Sequence, residues 1–110
     1  ILNDDQLRKI RLAKDIILER FNEPPTLVEL SEEINLGLRQ LKQGFKETYG
    51  KPVFQYLFDY KMDKAAKLLS DGKYNVNEVS IELGYSNSSH FIHAFKKKFG
   101  ITPLSFIKQS

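Results

Sequence analysis

The 110-residue sequence contains no cysteine. Disulfides, thiolate zinc sites and a cysteine nucleophile are therefore excluded, and a reducing compartment suits the chain. No apolar run approaches the roughly 18 residues of a membrane-spanning helix, and no signal peptide opens the sequence. We therefore expect a cytoplasmic protein that makes no contact with a membrane. Because the chain begins with Ile1 rather than methionine, we expect it to be part of a longer protein.

The sequence also lacks the residue groupings of common catalytic sites. It contains no Gly-rich phosphate loop and no evident carboxylate pair. Ser88 and Ser89 adjoin His90, but no third orienting group or Gly-flanked elbow accompanies them. His90 and His93 lie three residues apart, but no third metal ligand follows at a suitable spacing. The sequence therefore predicts a protein that is not an enzyme and that needs no metal or other cofactor.

Charge is unevenly distributed along a chain of ordinary composition. Hydrophobic residues make up 41% and charged residues 28%, which is typical of a globular domain. Residues 1–34 hold five lysines and arginines against eight acidic residues, whereas residues 35–110 hold twelve against six. This asymmetry indicates a basic face of the kind that contacts nucleic acid. Chance clustering of solvated residues is the alternative.

Apolar residues recur almost throughout at helical spacing, and no segment shows the two-residue alternation of a strand. Asn22-Glu23-Pro24-Pro25 interrupts the pattern because proline disfavours helix. Thr26 with Glu29 forms a capping-box pattern, and Gly50 and Gly100 are expected to end helices. The sequence predicts an all-α fold with helices at 7–21, 27–34, 38–49, 52–70, 76–83 and 87–99, followed by a short helix from Thr102-Pro103.

An internal repeat gives the helices a recognisable arrangement. The stretch LVELSEEINLGLRQLKQGFKETYGKPVFQYL (27–57) matches VNEVSIELGYSNSSHFIHAFKKKFGITPLSFI (76–107). Each copy combines a short helix, a turn, a second helix and an aromatic-Gly pair before a proline-initiated helix. The turns contain Asn35 and Gly84, residue types that tolerate a positive φ. Ser31 and Ser80 are small, as close helix packing requires. The pattern predicts two helix-turn-helix units.

The second copy carries a family resemblance. Residues 78–103, EVSIELGYSNSSHFIHAFKKKFGITP, resemble the signature of the arabinose-regulator (AraC/XylS) family of bacterial transcription factors. Two positions in the first copy depart from the family pattern, because Gly37 replaces a polar N-cap and Gln43 a basic residue. The resemblance implies one DNA-binding domain over residues 1–110, built from two three-helix helix-turn-helix subdomains (8–50 and 72–108) joined by a long linker helix (51–71). It also implies promoter binding, and a separate effector or dimerisation domain elsewhere in the full-length protein.

The second helix of each unit is expected to enter the major groove and to present its outward residues to base edges. Inward positions are Leu38, Leu41 and Phe45 in the first unit, and Phe91 and Phe95 in the second. The predicted base-facing residues are Arg39, Gln40, Lys42, Gln43, Asn87, Ser88, Ser89 and His93, with Ile92 beside them. The predicted phosphate contacts, which position the protein without reading sequence, are Lys46, Ser86, His90, Lys96 and Lys97, with Lys98 next in line.

A linker helix of about 18 residues spans roughly 27 Å, and successive major-groove faces lie about 34 Å apart. One chain is therefore expected to read an asymmetric double-stranded site, and this fragment to be monomeric when free. The alternative is a helical protein-interaction domain. Outward residues of the linker helix could contact RNA polymerase, so both functions can coexist; these residues are Asp59, Lys61, Asp63, Lys64 and Lys67. The aromatic residues are expected to be mostly core, with Phe54 and Phe58 among them.

Overall fold

The computed structural model describes residues 2–109, and over this range all regular secondary structure is helical, without strands. The fold class predicted from the sequence is confirmed. The described helices are α1 (Asp4–Glu19), α2 (Leu27–Glu33), α3 (Leu38–Tyr49), α4 (Val53–Ser70), α5 (Val76–Glu82), α6 (Ser88–Phe99) and α7 (Pro103–Gln109). They form two compact units, the first ending at Phe58 and the second beginning at Asp59, so α4 contributes to both.

The two tight turns inside the repeats adopt the backbone conformation that their residue types suggest. Asn35, between α2 and α3, has φ 56°, and Gly84, between α5 and α6, has φ 86°. Most side chains avoid this left-handed region because Cβ approaches the backbone, whereas Gly and Asn tolerate it. Gly50 and Gly100 close α3 and α6 in the same conformation. The turn and cap residues thus fix where each second helix begins and ends.

In the first unit, α1 crosses directly over α3. Gly44 is buried in α3, and a Cβ added to it would lie 3.0 Å from Ile10 Cδ1. A Cβ at this position would therefore require the Ile10 side chain to shift by a few tenths of an ångström. The apolar core around this crossing consists of Ile10, Ala13, Ile17, Leu30, Ile34, Leu41, Phe45, Val53 and Leu57. Burying a large apolar side chain contributes about 1.5–3 kcal/mol, so this core holds α3 with its opposite face outward.

The second unit is built around aromatic rings of α6 and α7. Phe95 is fully buried, and its ring centroid lies 5.9 Å from Phe91, 4.7 Å from Phe99 and 5.5 Å from Phe106. The remaining buried apolar residues come from α4, α5 and the start of α7; they are Met62, Ala65, Leu69, Val79, Leu83 and Pro103. The inward positions predicted for α6 are therefore confirmed.

Two details of the fold differ from the prediction. Helix α1 begins at Asp4 and ends at Glu19 rather than covering 7–21. It starts earlier because Asn3 accepts a hydrogen bond from the Gln6 amide while the Gln6 side chain accepts one from the Asn3 amide. Phe54, predicted with the mostly buried aromatics, is 41% exposed. No helix within residues 2–109 has both the length and the apolar character required to cross a bilayer.

Candidate nucleic-acid interface

Helix α3 presents a polar and basic surface opposite its buried face. Leu41, Gly44 and Phe45 are buried on the inner face. The predicted DNA-contacting residues of this helix are all exposed: Arg39, Gln40, Lys42, Gln43 and Lys46. Since side chains three and four positions apart share one side of a helix, the sequence places three cations within two turns on the outside of α3.

Four of these side chains share one shallow groove. Arg39, Lys42, Gln43 and Lys46 line this open groove of about 440 Å³ together with Leu38. Its lining is largely apolar, because long side chains contribute their methylene stems to it. Gln40 lies to the other side, in a smaller cavity that Leu2 and Gln6 also line.

Two side chains of α3 bind each other, whereas the start of this helix has no side-chain cap. The Gln43 amide nitrogen donates to a Glu47 carboxylate oxygen at 3.2 Å, which restrains the orientation of the amide. Gly37 occupies the N-cap position, and no side chain there accepts a hydrogen bond from the first turn. A Cβ at Gly37 would meet only Gln40 Oε1, at 3.6 Å. The start of α3 is thus open to a partner from outside the helix.

Helix α6 begins differently, because Asn87 caps it. Asn87 Oδ1 accepts a hydrogen bond from the His90 amide at 2.9 Å, and the Asn87 carbonyl accepts one from the buried Ser80 hydroxyl at 3.3 Å. Ser80 therefore fastens α5 to the start of α6. Ser31, its counterpart in the first unit, donates instead to the Val28 carbonyl within its own helix. The cap commits Asn87 Oδ1 and leaves the side-chain amide nitrogen for another partner.

The other predicted residues of the second unit lie on or near the outer face of α6. Ser86, Ser89, His90, His93, Lys96 and Lys97 are exposed, whereas Ser88 and Ile92 are half-buried. The lysines lie in the last turn of α6, where positive charge is also favoured by the helix dipole. In residues 2–109, no three His, Cys or acidic side chains come together in a way that could hold a metal ion.

Lys98 differs from the two lysines that precede it. Its Nζ lies 2.9 Å from Asp59 Oδ1, on α4, and the Asp59 side chain is only 13% exposed. The hydrogen bond to Asp59 raises the pKa of Lys98 above its usual value. The prediction that Asp59 faces outward from the linker helix is therefore wrong, since its carboxylate turns to the end of α6.

Lys61, predicted to face outward as well, packs against the turn between α5 and α6. Its Nζ lies 4.4 Å from the centre of the Tyr85 ring, a cation–π distance. Burial lowers the pKa of Lys61 and raises the pKa of Tyr85. Asp63 and Lys67 remain exposed on α4, and Lys64 is half-buried. Sequence reasoning missed both contacts because their partners are far apart in the chain and carry no local pattern.

Comparison with known proteins agrees with this arrangement. A family model described as a helix-turn-helix domain matches residues 30–109. The transcriptional activator AggR of Escherichia coli is 35% identical over 82 residues, which cover 74% of this chain and 31% of AggR. The chain thus spans less than a third of the length of this relative.

Solved structures share the fold. The C-terminal domain of AraT, a response regulator from Geobacillus stearothermophilus, superposes with a TM-score of 0.85 at 27% identity, covering 93% of this chain and 85% of AraT's. The DNA-binding domain of the global transcriptional factor AdpA, solved in complex with a target DNA, gives 0.82 at 20% identity, covering 92% and 91%. The fold and the matched model define a bacterial-type DNA-binding domain with two helix-turn-helix units. The chain belongs to the AraC/XylS family of transcription regulators.

Proposed function

We propose that this domain binds specific sequences of double-stranded promoter DNA by inserting α3 and α6 into successive major grooves, and thereby regulates transcription. One observation carries the proposal: each helix has an exposed polar or basic face backed by buried apolar residues. A helix of this kind fits the major groove, where its outward side chains reach base edges. Because α3 and α6 have different outward residues, the bound site should be asymmetric.

The side chains of α3 suit base recognition. Arg39 and Lys42 can donate to N7 and O6 of guanine, and Gln40 or Gln43 can pair with adenine. Because Arg39, Lys42 and Gln43 line one groove, they would read neighbouring base pairs. On α6, the base-facing set consists of Asn87, Ser88, Ser89 and His93.

A second group of residues would hold the sugar-phosphate backbone. Lys96 and Lys97 lie in the last turn of α6, and Lys46 lies in the last turn of α3. Ser86 and His90 flank the start of α6 and would complete the set. Such contacts fix the register of a protein on DNA but read no sequence. They make affinity salt-dependent, because each neutralised phosphate releases counterions.

The test is a selection from random duplex DNA, followed by titration of the selected duplexes by fluorescence anisotropy at several salt concentrations. The proposal predicts an asymmetric site with two blocks about one helical turn apart. Lys97→Ala should weaken binding to selected and random duplexes alike, and should lower the salt slope by about one. Equal binding of the wild-type chain to every duplex would refute sequence-specific recognition.

A second candidate function is contact with another protein. An open apolar surface in the first unit is lined by Pro24, Val28, Leu38 and Phe54 among others, and Val28 is 53% exposed. The exposed Asp63 and Lys67 of α4 are the remaining candidates for RNA polymerase contact. Substituting Phe54 or Asp63 should leave DNA affinity unchanged but lower transcription in a reconstituted promoter assay. Unchanged transcription with these variants would refute this candidate function.

The remaining parts of the proposal concern the complete protein. We expect the fragment to sediment as a monomer without DNA, and an effector or dimerisation domain to lie elsewhere in the full-length chain. This chain spans only 31% of AggR, so a full-length protein of similar size would have room for such a domain. Because bacterial promoters lie in the cytoplasm, DNA binding implies a cytoplasmic location. Sedimentation of the fragment with and without the selected duplex tests the monomer expectation.

A further inference from the structure

One ion pair in the second unit joins the linker helix to the helix proposed to read DNA. Asp59 Oδ1 on α4 and Lys98 Nζ on α6 are 2.9 Å apart, although the residues are separated by 39 positions. Their side chains are 13% and 30% exposed, respectively. A carboxylate this shielded from solvent loses much of its hydration. The nearby ammonium group offsets this desolvation free energy, which would otherwise destabilise the folded unit.

The same stretch of α4 also reaches the other end of α6. Lys61, two residues after Asp59, lies with its Nζ 4.4 Å from the centre of the Tyr85 ring. Tyr85 belongs to the turn that leads into α6, and its ring centroid lies 5.7 Å from that of Phe91. Helix α4 therefore contacts both the approach to α6, through Lys61, and the last turn of α6, through Asp59.

These contacts separate Lys98 from its neighbours. Lys96, Lys97 and Lys98 are all exposed, but the ammonium of Lys98 is held by a carboxylate on another helix. Because its charge is largely neutralised by the carboxylate, a lysine paired in this way attracts a DNA phosphate only weakly. Three consecutive lysines thus divide into two that can reach DNA and one that joins helices.

We propose that Asp59 is a positioning residue for sequence recognition by the second unit: by holding Lys98, it sets the orientation of α6 and withholds that ammonium from DNA phosphates. The inference rests on the proposed function, since it concerns how α6 meets the groove. It predicts that Lys98→Ala leaves the salt slope of DNA binding unchanged. Lys97→Ala, one residue earlier, should lower the slope by about one.

The experiment measures base discrimination separately in the two blocks of the selected site. Asp59→Asn in the whole 110-residue chain should lower discrimination about fivefold in the block read by α6, the size that a partly exposed ion pair can account for. Discrimination in the block read by α3 should not change. Asp71→Asn is the matched control, because it removes the same charge from an exposed position just after the end of α4.

A charge-reversed double variant, Asp59→Lys with Lys98→Asp, should restore most of the discrimination in the α6 block. A purely structural loss would not be rescued in this way. Thermal unfolding of each variant shows whether the second unit remains folded. If Asp59→Asn unfolds it, discrimination in the α6 block is measured instead with Lys98→Ala, which changes the more exposed partner of the pair.

Three results would overturn the inference while leaving the proposed function intact: wild-type discrimination in a folded Asp59→Asn chain, an equal loss in both blocks, or a salt slope lowered by Lys98→Ala as much as by Lys97→Ala. A wild-type chain that selects no sequence would refute the proposed function itself, and the inference with it.

Discussion

Phe95→Ala should selectively unfold the second unit. Phe95 is fully buried and lies within 6 Å, between ring centroids, of three other aromatic rings. Removing a buried phenylalanine ring costs about 3–5 kcal/mol through lost burial and the cavity left behind. A unit of about 50 residues has a total stability of about 3–8 kcal/mol. The substitution therefore removes a large part of the stability of the second unit.

Urea unfolding followed by amide NMR signals distinguishes the two units. In Phe95→Ala, signals from residues after Asp59 should lose their native positions first, while those of α1 to α3 persist. Phe45→Ala is the matched variant in the first unit, because Phe45 is equally buried and packs against Tyr49 and Tyr56; it should reverse the order. His93→Ala, on the exposed face of α6, should cost less than about 0.5 kcal/mol. A loss below about 1 kcal/mol for Phe95→Ala would contradict the packing argument.

Three further substitutions test separate parts of the structure. Arg39→Ala should weaken binding to the selected duplex by about 1–3 kcal/mol and relax the preference at one or two base pairs. An equal loss of affinity for random duplex in the same titrations would show that Arg39 contacts phosphate rather than a base. Thr26→Ala should lower the free energy of unfolding by about 1 kcal/mol, measured by urea. The Thr26 backbone amide, and after it the Thr26 side chain, lower the pKa of Glu29. Because alanine keeps the amide, only the side-chain share of this linkage should disappear as the pH falls through that lowered pKa; a pH-independent difference would exclude this linkage. Gly44→Ala should destabilise by about 1 kcal/mol, because crowding against the buried Ile10 (about 1–3 kcal/mol) outweighs the gain in helix propensity (about 1 kcal/mol); a higher melting temperature would refute this.

Local signals predicted most of the secondary structure. Thr26 caps α2 with its side-chain oxygen, and Gly50 and Gly100 end α3 and α6, as the sequence predicts. These features depend on neighbours within four residues, so the sequence contains them directly. The early start of α1 had a local signal too, since Asn3 and Gln6 have capping-box spacing. It was missed because the apolar periodicity begins only at Leu7.

Contacts made across the second unit could not be predicted in the same way. Asp59 and Lys61 lie on the side of α4 that a helical wheel assigns to solvent, yet each contacts a partner brought there by tertiary packing. Periodicity identifies the strongly apolar face of a helix, but it does not show how far a second helix wraps around that face. Phe54 shows the opposite error, because an aromatic residue at helical spacing remains 41% exposed beyond the edge of the core.

The two units share a frame but differ in charge where DNA phosphates would lie. With the 50-residue offset of the repeat, Lys46 corresponds to Lys96, whereas Glu47 corresponds to Lys97. Glu47 is exposed and accepts a hydrogen bond from Gln43, so it restrains a side chain that we propose to face bases, and it adds a negative charge where the second unit has a positive one. We therefore expect the second unit to supply more of the salt-dependent affinity. The first unit, with Arg39 and Lys42 beside Gln43 in one groove, is expected to supply more of the discrimination among base pairs. The two copies thus share a fold but differ in their outward residues. This difference allows one copy to contribute more to affinity and the other more to sequence discrimination.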